Sequence, residues 1–116
     1  MSGKDPLIFI EHILENIGDI ESFSHNVSKE ALKKNREKLN AIVRSIEIIG
    51  EAAKNISTPF KVKHPEVPWK EIIGARDVLI HHYFGIDLDI LWNIINNDIQ
   101  VLKKQLLKIK ENILQT

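Results

Sequence analysis

The residues that could do chemistry are concentrated in one stretch, GARDVLIHHYFGID, from Gly74 to Asp87. It holds Arg76, Asp77, His81, His82 and the chain's one tyrosine, Tyr83. An arginine and a histidine held near one phosphate are the minimum set for cleaving RNA without a metal. Histidine titrates near neutrality, so it can take the 2′-hydroxyl proton or protonate the leaving 5′-oxygen. Arginine presents a fixed fork of donors that suits the charge building on the phosphorane. Two blander readings stay open. Arg76 can snorkel while Asp77 pairs with a lysine, and histidines near a helix C-terminus are favoured by the dipole alone. Metal ligation by His81 and His82 is a further reading, but adjacent residues on a helix splay apart and no His-x3-His grouping accompanies them.

Geometry sharpens the question. Each residue of a continuous helix turns by about 100°. Arg76 and Tyr83 then share a face. His81 points about 140° away from Arg76 and lies about 7.5 Å further along the axis. The three groups do not converge on one ideal helix. Either the helix loosens near its end at Gly85, or a second copy brings its own arginine or histidine across a two-fold axis.

The elements that must position these groups all read as helical. Asp5 is a good N-cap, and Pro6 fits the first position of a helix running to about Phe23, with Leu7, Ile10, Leu14 and Ile17 on one face. Ser28 or Asn26 caps a second helix from about Lys29 to Ile56, which would be roughly 40 Å long. Leu39, Ile42, Ile46, Ile49, Ala53 and Ile56 form its stripe, and Gly50 inside that stripe marks close approach by another helix. The segment STPFKVKHPEVP, with Pro59, Pro65 and Pro68, reads as the one real loop. A short helix from Trp69 carries Arg76 and ends near Gly85. Asp87 caps the last helix, whose stripe is Leu91, Ile95, Ile99, Leu102, Leu106, Ile109 and Ile113; Asn96, Asn97 and Asp98 are where it would bend. No strand alternation interrupts this pattern. The expected fold is an all-α, antiparallel helical bundle with three long helices and a short motif-bearing one, forming one domain over residues 1–116. So thin a bundle invites pairing with a second copy.

Other polar groups have simple readings. Arg44, Glu47, Glu51 and Lys54 form a charged face with local pairs, although Glu51 could approach Arg76 instead. Lys103, Lys104, Lys108 and Lys110 read as a solvated face or, alternatively, an RNA track. Trp69 and Trp92 read as core anchors.

Composition excludes several classes. Lysine plus arginine number 16 and aspartate plus glutamate 16, so a global polycation coating nucleic acid is excluded. The absence of cysteine rules out a disulfide scaffold, a thiol nucleophile and a zinc-thiolate site. No apolar run approaches the roughly 18 residues of a membrane span, and the N-terminus lacks a signal-peptide pattern, so a cytoplasmic protein is expected.

Arg76-x4-His81-x-Tyr83 resembles the Arg-x4-His-x-Tyr motif of the HepT-like toxins, HEPN-domain proteins paired with minimal nucleotidyltransferase (MNT) antitoxins in type VII systems. The surrounding segments IEIIGEAAKNI, HPEVPWKEIIGARDVLIHHYFGID and LWNIINNDIQVLKKQL are similar to family members too. The resemblance covers nearly the whole chain and is most specific from Ile46 to Trp92. It implies an all-helical homodimer, with two motif copies meeting in a cleft at the interface. The implied activity is metal-independent endoribonuclease, without a cofactor. Arg76 and His81 would be the catalytic pair and Asp77 a supporting residue. Tyr83 would be AMPylated by the partner nucleotidyltransferase, with its packing against His81 as the other reading. His82 falls on an unconstrained motif position. Some HEPN domains instead serve as non-catalytic nucleotide-binding or docking modules, and a purely structural dimer remains a third alternative.

Overall fold

The chain folds as an all-α bundle, and its computed structural model describes residues 5–81 and 85–115. Helix α1 (Pro6–Ser24) starts where the Asp5 carboxylate accepts from the Leu7 amide at 2.9 Å. Ile10, Ile13, Ile17 and Ile20 are fully buried, so the stripe is centred one position away from Leu7 and Leu14, which sit at its edge. Burying one such side chain contributes roughly 1.5–3 kcal/mol, so this row anchors the fold.

The long second helix expected from the stripe is two helices. Ser28 caps α2 (Lys29–Lys34), and α3 (Arg36–Asn55) begins anew at Asn35. Asn35 leaves helical geometry at φ −108° and ψ 86°, and its side chain accepts from the Lys38 amide at 3.0 Å. An asparagine that caps the next turn competes with helix continuation. No apolar residue in the surrounding KKNREK segment holds the two halves in line.

The proline-rich loop also contains a helix, α4 (Thr58–Lys63), capped by Ser57. Pro59 lies in its first turn, where a missing amide hydrogen costs no intrahelical bond. Beyond it, Trp69 is buried at the start of α5 (Trp69–Leu79), and its indole donates to the His64 carbonyl at 3.0 Å.

Helix α5 stops at Leu79, not near Gly85. Two short strands follow, β1 (Ile80–His81) and β2 (Gly85–Ile86), paired antiparallel with Ile80 opposite Ile86 and His81 opposite Gly85. β-Branched Ile80 and Ile86 both pack on the core, Gly85 takes φ +76°, and the Asp87 amide donates to the Leu79 carbonyl at 2.9 Å. This pairing gives the backbone after Leu79 its hydrogen-bond partners without further helix.

Asp87 then caps α6 (Leu88–Asn93), as expected. The anticipated bend at Asn96–Asp98 is a π-helical turn over Ile94–Asp98, after which α7 (Ile99–Gln115) continues. The Ile99 amide donates to the Ile94 carbonyl five residues back. This wider turn lets Leu91, Ile95 and Ile99, spaced by fours, stay on one buried face.

Helix α1 packs against both α3 and α7, and α5 packs against α3. Glu11 pairs with Lys110 and Glu21 with Lys103, so α1 and α7 run antiparallel. The Lys29–Asp89 ion pair ties α2 to α6. No helix among the described residues is long and apolar enough to cross a membrane.

Candidate active site

Arg76 sits in the last turn of α5, and the placement of that helix is decided at Gly50. A Cβ at position 50 would stand 3.2 Å from the Ile72 carbonyl oxygen and 3.3 Å from that of Ile73. The bare glycine therefore allows α5 to lie directly on α3, the close approach its position in the stripe suggested. The helices are antiparallel, so one turn before Gly50 on α3 faces one turn after Ile73 on α5. Those positions are Glu47 and Arg76. Arg76 Nε meets Glu47 Oε2 at 2.5 Å.

Glu47 holds a second arginine. Its Oε1 accepts from Arg44 Nη1 at 2.9 Å, along the same face of α3. The Arg44 hydrogen bond pulls the Glu47 carboxyl below its ordinary value; partial burial opposes this and the Arg76 charge adds to it. Glu47 is thus a carboxylate near neutrality.

The groups border an open cleft of about 370 Å³, lined by Glu47, Gly50, Glu51, Lys54, Arg76 and Asp77 among others. The Arg76 side chain is 47% exposed, so its charge is available to a ligand while one edge is held by the protein. A second cleft of about 340 Å³, bounded by Ile46, Ile72, Ala75, Ile94 and Leu102 among others, is apolar, and Arg76 does not line it.

Asp77 lines the polar cleft, but its side chain is 88% exposed and Oδ1 stands 3.8 Å from Arg76 Nη1, beyond hydrogen-bond distance. Glu51 lines the same cleft, yet the carboxylate that contacts Arg76 is Glu47, one turn earlier. The local Arg44–Glu47 pair fits the charged face read from the sequence, and the ion pair with Arg76 falls to Glu47, not to Glu51, the alternative that reading kept open. His81 lies in β1, five residues after Arg76 and off its helix, so the 140° separation of an ideal helix does not apply. His82 and Tyr83 lie outside the described residues.

Glu47 was missed as a partner of Arg76. The signal was present: an Arg44-x2-Glu47 pair one turn before a glycine that marks helix contact. It needed the antiparallel register of α3 and α5 to be read.

Of the four lysines on the last helix, Lys103 reaches Glu21 at 3.0 Å and Lys110 reaches Glu11 at 3.3 Å. These two are helix ties, whereas Lys104 and Lys108 are exposed.

The sequence pattern of the family described as "Ribonuclease HepT-like" matches residues 13–109. The chain is 42% identical over 110 residues to "Probable ribonuclease HepT" of Thermococcus cleftensis, covering 95% of this chain and 97% of that protein. It is 41% identical over 105 residues to "Putative RNase MJ1380" of Methanocaldococcus jannaschii, covering 90% and 96%. A third similar protein, "Gamma-glutamylcyclotransferase and putative RNase MJ0434" of the same organism, is 41% identical over 110 residues; the match takes in 95% of this chain but spans only 50% of that relative. No solved structure matches the chain.

Proposed function

The chain belongs to the HepT-like ribonuclease family, and from that premise we propose that it is a metal-independent endoribonuclease, the toxin of a type VII HEPN/MNT toxin–antitoxin system. The observation that carries the reading is the family match, which runs through the whole Arg76-x4-His81-x-Tyr83 segment. The half-exposed Arg76 at an open polar cleft supports it. In this reading Arg76 stabilises the charge on the phosphorane. His81 takes the proton of the 2′-hydroxyl as the 2′-oxygen attacks phosphorus. The 5′-oxygen leaves and is protonated by the His81 of a second copy, giving a 2′,3′-cyclic phosphate and a 5′-hydroxyl.

A homodimer fits this chemistry, because base and acid are then the same residue from two chains. Ile73 and Val78, on either side of Arg76 in α5, are exposed apolar residues that an interface through this region would cover. Asp77 is the supporting polar group beside the pair. Tyr83 is the residue that the cognate nucleotidyltransferase would AMPylate, placing phosphate charge where RNA must enter.

Purified protein is assayed on RNA in chelator, beside His81→Ala. Wild type should cleave and leave cyclic-phosphate ends, and His81→Ala should lose about 10²–10⁴-fold in rate. Equal cleavage by both would sink the reading. In the same series, mass spectrometry after co-expression with the nucleotidyltransferase should find the adenylyl group on Tyr83; neutralisation without modification of that residue would remove the AMPylation step.

A further inference from the structure

Glu47 is a carboxylate at the cleft that the catalytic scheme does not use. Its contact with Arg76 is specific in geometry. An arginine offers an oxyanion two faces: the side, with Nε and one Nη, and the end, with both Nη atoms. Glu47 engages Nε at 2.5 Å and so occupies the side. Among the described residues the end is left for another anion, since Asp77 comes no nearer to Nη1 than 3.8 Å. Arg44 holds the other Glu47 oxygen at 2.9 Å, which favours this placement of the carboxylate.

A simple helix tie would be the plainer account. The Gly50 contact already brings α5 onto α3, however, and an ion pair this exposed adds little to stability. What Glu47 adds is orientation of a long side chain that must meet a phosphate.

We propose that Glu47 is a positioning residue that grips Arg76 by Nε so that the two terminal nitrogens face the RNA phosphate, with Arg44 as the anchor that fixes Glu47. This rests on Arg76 acting on RNA as set out above.

The test compares wild type with Glu47→Ala, Glu47→Gln and Arg44→Ala in metal-free RNA cleavage, with kcat and KM separated. A misplaced catalytic group typically costs about 10²-fold, so Glu47→Ala should lower kcat by about 10–100-fold and leave KM within about threefold. Glu47→Gln, which keeps an acceptor for Nε, should recover to within about tenfold of wild type, and Arg44→Ala should lose about 3–10-fold. The Arg76 Nε–H resonance should exchange slowly in wild type and rapidly in Glu47→Ala, a signature independent of turnover. Wild-type kcat in Glu47→Ala overturns the proposal. So does a loss that follows melting temperature and is not restored by glutamine. Inactivity of wild type itself, with the slow resonance present, instead marks failure of the ribonuclease reading, and the positioning role falls with it.

Discussion

The bundle contains two antiparallel helix contacts built on the same device, a carboxylate reaching across to cations, and they differ in nearly everything else. Between α1 and α7, Glu21 meets Lys103 through both oxygens, at 3.0 and 3.1 Å, beside a closed layer of buried isoleucines and leucines. Between α3 and α5, Glu47 meets arginines, and the contact borders an open cleft. The two cations differ in what they can do. Lysine is a mobile point charge that suits a solvated tie. Arginine is a planar fork that can be held by one edge while the other binds. On the proposed reading, the same ion-pair motif is packing in one place and preparation for a ligand in the other.

The largest expected effect comes from exchanging the cations. Arg76→Lys keeps the charge and loses the fork. RNA cleavage should fall by about 10²-fold or more, because transition-state donors are lost, while the melting temperature stays within a few degrees. Retention of most activity would show that charge alone serves at this position, and the distinction between the two contacts would lose its basis.

Glycines give the next test, with opposite signs in the two regions. Gly18, within α1, has nothing within 4 Å of an added Cβ. Gly18→Ala should stabilise by about 0.5–1 kcal/mol through helix propensity. Gly50→Ala gains the same propensity but presses on the carbonyl oxygens of Ile72 and Ile73. Those oxygens belong to the backbone of α5 and yield only if the helix shifts as a body. Overpacking of about 1–3 kcal/mol should win. Chemical denaturation should show a net loss, and cleavage should drop with it as Arg76 moves off Glu47. Stabilisation at both positions would mean that α5 is not pinned where the cleft requires.

The caps and stripes were legible because each depends on residues a few positions apart. Asp5, Ser28 and Asp87 cap helices as their residue types dictate, and Gly50 sits under another helix. The misses have a shared cause. The break at Asn35 falls in a polar segment before the apolar stripe, which begins at Leu39, so periodicity carries no signal of it. The stop at Leu79 depends on Ile80 and Ile86 finding each other across a reversal at Gly85, a pairing that no helical period reveals. Glu47 is paired with Arg76 across 29 positions, a relation fixed only once α5 lies on α3. In the candidate site, the partner that holds Arg76 was not readable, and His81 lies in β1 and not in the helix that carries Arg76.

The smallest effect is expected on the α1–α7 face. Lys103→Met removes the cationic partner of Glu21, which keeps the Gln100 side-chain amide at 3.3 Å, and it leaves an unbranched apolar stem to cover the seam. Both side chains are partly solvated, so the tie is worth about 0–1 kcal/mol, and the carboxylate left behind can turn to water. Urea denaturation should register a change of that size, and RNA cleavage should match wild type at every salt concentration. A salt-dependent loss of RNA binding would give a different result: Lys103 would then belong to a phosphate track along α7, and its contact with Glu21 would be a resting position. Unchanged kcat and KM would place this carboxylate–cation contact in the packing of the bundle.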